Sequence, residues 1–211
     1  MSARNSAIQN YMKEHLPLYV FVAVLFIMGV VFGALMVNAL SLEQKQDLAD
    51  YLSSFFHTVI QDSVSDGGAS LQQTFAMHLK WTVLIFVLGM SVIGLPLILI
   101  LDFLKGVLVG FTIGYLSGQL SWKGMLFALI TVVPQNLIII PALIACSVTA
   151  ISFSLYLIRN RLLQKKGSIR QAFYQYAGLT SALLVILFGA SLFEAYVSPP
   201  LMKWIVPLIQ S

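Results

Sequence analysis

The sequence predicts an all-α, polytopic membrane protein with about five transmembrane helices, its N-terminus inside and its C-terminus outside. Three observations carry this. Of 211 residues, 59% are hydrophobic and 9% charged, against about 25% charged in a soluble domain, and the mean hydropathy is +0.90. That is too little charge to cover a water-facing surface, and a disordered chain needs the opposite bias. The apolar residues fall into charge-free runs long enough to cross a hydrocarbon core of about 30 Å. The basic residues are distributed unevenly between the connections, as the positive-inside rule requires.

The elements follow in order. Residues 1–17 are polar, with Ile8, Tyr11, Met12, His15 and Leu16 at helical spacing, as on an interfacial helix. Residues 18–40 carry no charge. The run is longer than the apolar core of about 7–15 residues in a secretory signal and reads as an uncleaved signal anchor. Residues 41–80 form the one sizeable polar segment, an extracytoplasmic loop with Glu43, Asp47, Asp50, Asp62 and Asp66 against Lys45 and Lys80. Ser41, Glu43 and Gln44 suit a helix start. Leu48, Tyr51, Leu52, Phe55, Phe56 and Val59 repeat at helical spacing as an amphipathic face, and Asp66-Gly67-Gly68 breaks the pattern. A short helix over 70–79 leads into the next span.

Residues 81–101 are the second span, with Trp81 at an interface-like position and Pro96 as a kink. Asp102 and Lys105 mark a tight connection to a short, glycine-rich third span, 103–120. A turn over 119–123 follows, with Trp122 as an anchor. Residues 124–158 then hold no charge, and these 35 residues would make about 52 Å of ideal helix. The run is read as one span broken at Pro134 and Pro141. A five-span chain puts Arg4, Lys13, Lys105 and the five basic residues of 159–170 inside, eight against Lys45, Lys80, Lys123 and Lys203 outside. Splitting 124–158 into two spans moves the 159–170 segment outside and Lys203 inside and reverses the asymmetry to four against eight, so five is preferred. The last span is 176–197, ended by Pro199-Pro200. The whole chain, 1–211, reads as a single integral membrane domain.

Composition and motifs exclude several function classes. The surplus of 12 basic over 8 acidic residues is topological, so no nucleic-acid partner is expected. The single Cys146 allows no internal disulfide, and no Cys/His cluster has metal-ligand spacing. No His-Glu-x-x-His array, no Ser with a His or Lys base in a span, and no phosphate-binding glycine loop is present. The expectation is a chain that is not an enzyme and carries no cofactor. Coupled transport needs an ionisable group within a span. Asp102 and Lys105 at a turn, and Glu194 near the end of the last span, do not supply one on this reading.

What remains is packing and docking. Gly106, Gly110, Gly114 and Gly118 recur every four residues, and Gly29 and Gly33 form a shorter example. Such a face lets another backbone approach closely, either a partner helix or one of this chain's own. Pro134-Gln135-Asn136 and Pro141 read as an intramembrane kink whose freed carbonyls the two amides can satisfy. The amphipathic stretch 42–62 is either an interfacial helix lying on lipid or a face for an anchored extracytoplasmic partner.

The charge-free run Leu18-Tyr-Val-Phe-Val-Ala-Val-Leu-Phe-Ile-Met-Gly-Val-Val-Phe-Gly-Ala-Leu-Met-Val-Asn-Ala-Leu40 resembles the first span of the stage II sporulation protein M family of endospore-forming bacteria. Phe103-Leu-Lys-Gly-Val-Leu-Val-Gly-Phe-Thr-Ile-Gly114 and Val133-Pro-Gln-Asn-Leu-Ile-Ile-Ile-Pro-Ala142 agree with it in order and spacing. The resemblance covers essentially the whole chain. It implies a multi-pass protein of the bacterial cell membrane, in the septum and the engulfing mother-cell membrane. It also implies a scaffold that recruits two membrane-anchored peptidoglycan hydrolases, stage II sporulation proteins D and P, for wall thinning. A homo-oligomer is left open. The broader family often carries a His and a Glu where this chain has Gln135 and Ile139, which counts against carrying over any transport or catalytic role. The rival reading is the membrane subunit of a transporter or ABC-type system, coupled through 159–170. An intramembrane enzyme is a third.

Overall fold

The computed structural model describes residues 2–61, 67–162 and 169–210. Asp62, Asp66, Lys165 and Lys166 lie outside them. The described residues form helices: α1 (Ser2–Met36) ending in a 3-10 turn (Val37–Ala39), α2 (Leu42–Gln61), α3 (Gly67–Gly89), α4 (Gly94–Thr131), α5 (Val133–Leu162), α6 (Ile169–Tyr196) and α7 (Ser198–Gln210). The all-α expectation holds. Four segments are long and apolar enough to cross a membrane: His15–Ala39, Gly94–Thr131, Val133–Asn160 and Ile169–Pro207. Helix α3 runs in the same bundle, with Gln72, Gln73, His78 and Lys80 as polar residues along its first two-thirds.

Side-chain contacts fix the relative directions. Gly29 meets Phe103 and Gly33 meets Val107, while Gly106 meets Phe26 and Gly110 meets Val30, so α1 and α4 run parallel. His15 of α1 bonds Ser152 of α5 at 3.3 Å, and the Ser154 hydroxyl donates to the Ser91 carbonyl in the α3–α4 turn at 3.0 Å. His78 near the middle of α3 pairs with Glu194 at the far end of α6. One end of the bundle therefore holds the start of the α1 apolar run, the 90–93 turn, the end of α5 and the start of α6. The other end holds α2, the 131–133 break and α7.

The structure redraws three boundaries. The connection expected at Asp102 and Lys105 is not there, because α4 runs unbroken through both. That stretch contains neither Gly nor Pro to stop a helix. The real turn is over 90–93, closed by Ser91 N–H to the Leu88 carbonyl at 2.9 Å and Gly94 N–H to the Ser91 carbonyl at 3.1 Å. A Cβ on Gly94 would run into the Leu88 carbonyl, so only glycine permits so tight a return. Pro96 does not kink a span. It lies in the first turn of α4, where a missing N–H costs nothing.

The run 124–158 is likewise not one span. Its first residues finish α4 beyond a sharp kink, and the rest lie in α5. The kink sits at Ser121, whose φ of 50° and ψ of −131° are a glycine-type conformation that costs a side chain energy. Pro134 is the second residue of α5, again where no donor is needed. Pro141 does lie inside the helix.

The core is built for a bilayer. Val22, Ile85, Ile98, Cys146, Val148, Ile151 and Leu187 are fully or almost fully buried between helices, while Ile27, Val31, Leu35 and Val185 are exposed as a lipid-facing surface would be. Three buried hydroxyls are satisfied within their own helices: Thr131 donates to the Phe127 carbonyl at 2.7 Å, Thr180 to Tyr176 at 3.0 Å and Ser191 to Leu187 at 2.9 Å. Tyr176 is stacked between Phe86 and Phe153, with ring centroids at 4.8 and 4.6 Å. Its hydroxyl donates to the Phe86 carbonyl at 3.0 Å, which ties α3, α5 and α6 together.

Candidate functional site: a helical platform and a buried ionisable cluster

The glycine faces are used up inside the chain. A Cβ on Gly29, Gly33, Gly106 or Gly110 would overlap a carbonyl of the facing helix, and one on Gly114 would lie 2.9 Å from Ala34 Cα. These five residues bring the α1 and α4 backbones into contact, so no partner helix can use that seam. Gly118 has nothing within 4 Å of its Cβ position.

The Pro134–Asn136 group closes the α4–α5 break. The Asn136 side chain donates to the Val132 carbonyl at 2.8 Å. The Gln135 carbonyl oxygen accepts from the Ser198 hydroxyl at 3.0 Å, linking the start of α5 to the start of α7. The Asn amide thus satisfies a local carbonyl, as the sequence suggests. The Gln amide instead holds α7 at the α2 end of the bundle. Pro141, seven residues further along α5, is not part of this arrangement.

Helix α2 begins with a capping box. The Gln44 N–H donates to the Ser41 hydroxyl at 3.3 Å, and the Ser41 N–H donates to the Gln44 side-chain oxygen at 3.0 Å, satisfying two otherwise orphaned donors. The expected docking face divides. Leu52 packs on a cluster of Leu116, Phe127, Ala128, Ile205 and Val206 from α4 and α7. Leu48 is half-buried, and Tyr51 is 77% exposed. The side chains of Phe55, Phe56 and Val59 lie outside the described residues. Trp122 and Trp204, 67% and 68% exposed, belong to the same end of the molecule and suit an interfacial aromatic belt. Helices α2 and α7 and the kinked end of α4 form one platform there.

The sequence reading missed a second group. Asp102 is 4% exposed inside the bundle and accepts from the Ser147 hydroxyl of α5 at 2.7 Å. The Lys105 ammonium lies 5.7 Å from the Trp81 ring centroid on α3 and within electrostatic reach of Glu194. His78 Nε2 is 3.4 Å from the Glu194 carboxylate, and its Nδ1 has no partner. Four ionisable side chains from α3, α4 and α6 therefore gather between helices where none was expected. The signal was present: counting back in fours from Gly114 through Gly110 and Gly106 lands on Asp102 and Ile98, and all but Gly114 are buried. The glycine phase already placed Asp102 on the inward face.

Among the described residues no group of three or more His, Cys, Asp or Glu is arranged to hold a metal ion. A family model described as stage II sporulation protein M matches residues 22–199. No curated protein and no solved structure matches the chain.

Proposed function

The chain belongs to the stage II sporulation protein M family, and from that premise we propose that it is a scaffold holding stage II sporulation proteins D and P at the septum for wall thinning and forespore engulfment. Family membership and the apolar helices make it a sporulation-associated, multi-pass membrane protein. The observation that carries the finer reading is the α2–α7 platform at one end of the bundle, with an exposed Tyr51 on a capped amphipathic helix. Arg159 and Arg170 flank the 162–169 connection at the opposite end, which the positive-inside rule assigns to the cytoplasm. The platform then faces the compartment in which anchored hydrolases work. The chain's part is to position these enzymes.

The test is co-purification of the D and P hydrolases with full-length Phe55→Ala/Phe56→Ala. Reduced recovery of both hydrolases with normal membrane insertion is expected. Unchanged recovery of both would refute docking through α2.

A second reading, the membrane subunit of a transporter or ABC-type system, gains support from one observation. Ionisable residues of the kind such a role needs are gathered around Asp102 and Lys105.

A further inference from the structure

Asp102 is the one buried carboxyl group among the described residues. Ser147 donates to its Oδ1 at 2.7 Å, while Oδ2 has no hydrogen-bond partner. Asp102 and Lys105 line a single small cavity with Phe26, Trp81, Ile85 and Leu143, with room for about one water molecule. The two charged side chains share this space without a contact ion pair, since the His78–Glu194 contact is the ion pair found among the described residues. An ionised carboxylate with one hydrogen bond and an apolar lining is costly at membrane depth, and adding a proton removes that charge.

We propose that Asp102 is a proton-binding site of the helix bundle, served by water in the cavity it shares with Lys105. On uptake, an O–H bond of hydronium in the cavity breaks as the Oδ2–H bond forms, leaving neutral water. Release is the reverse. Ser147 holds Oδ1 in both states, and the Lys105 ammonium supplies the countercharge when the carboxyl is ionised. The other groups packed around the site are consistent with this. Helix α1 contributes the apolar Phe26, and α5 contributes Ser147 and the buried Cys146 thiol. Helices α3 and α6 contribute His78 and Glu194, which pair with each other. A metal ion is a poor occupant, because the site offers two protein oxygen types beside an ammonium, and hard cations take six or more oxygens.

Infrared difference spectroscopy of the full-length protein in lipid nanodiscs, titrated between acid and alkaline pH, tests this. A carboxylic-acid carbonyl band that appears and disappears with pH is expected. It should be absent in Asp102→Asn, whose amide can still accept from Ser147, and its midpoint should move in Lys105→Gln. If Asp102→Asn does not fold, aspartate-specific 13C labelling of the wild-type chain shifts the same band, and Lys105→Gln remains the site-specific readout. No titrating band from a buried aspartate would overturn the proposal. So would a band whose midpoint is the same in Lys105→Gln.

Discussion

Gly110 and Gly118 lie two helical turns apart on α4 and answer differently to the same change. A Cβ at Gly110 meets the Val30 backbone, whereas one at Gly118 meets nothing within 4 Å. Gly110→Leu should therefore destabilise the bundle by about 3 kcal/mol or more, the upper end of overpacking costs, because a backbone cannot swing aside as a side chain can. Gly118→Leu should change stability by less than about 0.5 kcal/mol. Unfolding of the two variants in mixed micelles checks the contrast. At Ser121, where φ is 50°, Ser121→Gly should stabilise the chain by about 1 kcal/mol by relieving the strained backbone, read in the same assay. The period of four was legible in the sequence; which helix would fill it was not. Spacing gives a face, but it does not give the partner that covers the face. Asp102 shows the cost of reading a charge as a turn: a polar residue on the phase of a packed face belongs inside, and its partner, Ser147, lies 45 residues away.

Helix boundaries were legible where local chemistry sets them. The Ser41 start of α2 is one, since its signal is a four-residue pattern that closes on itself. Ser41→Ala should cost α2 about 1 kcal/mol, seen as faster amide exchange in its first turn with α1 and α4 unchanged. The α3–α4 turn was not legible, although Ser91, Gly94 and Pro96 all mark it. In a chain this apolar, charge stands out as punctuation, and Asp102 and Lys105 outweighed the glycine and proline that break helices. The same bias placed Pro134 in mid-membrane. A proline in an apolar run can be an interior kink or a first-turn residue, and only the break at Val132 decides between them.

For the whole molecule, the order of directions along the bundle puts the two flanks of the 162–169 connection at one end and α2 and α7 at the other. On the five-span topology expected from the sequence, removing Lys105 from the charge count leaves seven basic residues on the expected inner side and four on the outer, so the asymmetry survives the correction. Asp66→Cys should label with an impermeant thiol reagent from outside, and Lys165→Cys should not, with the native Cys146 buried and silent. The reverse pattern would invert the expected topology and overturn the proposed docking of the hydrolases on the platform. The scarcity of charge that marks the chain as a membrane protein does not mean a bundle free of ionisable groups. The few within it are concentrated between α3, α4, α5 and α6. The central claim is that the platform engages the hydrolases. The most direct test is a photo-crosslinking amino acid placed at Tyr51 in sporulating cells. Adducts with stage II sporulation proteins D and P that disappear in Phe55→Ala/Phe56→Ala are expected. The claim would be contradicted by no hydrolase adduct from position 51 together with capture of a cytoplasmic ATPase from position 159.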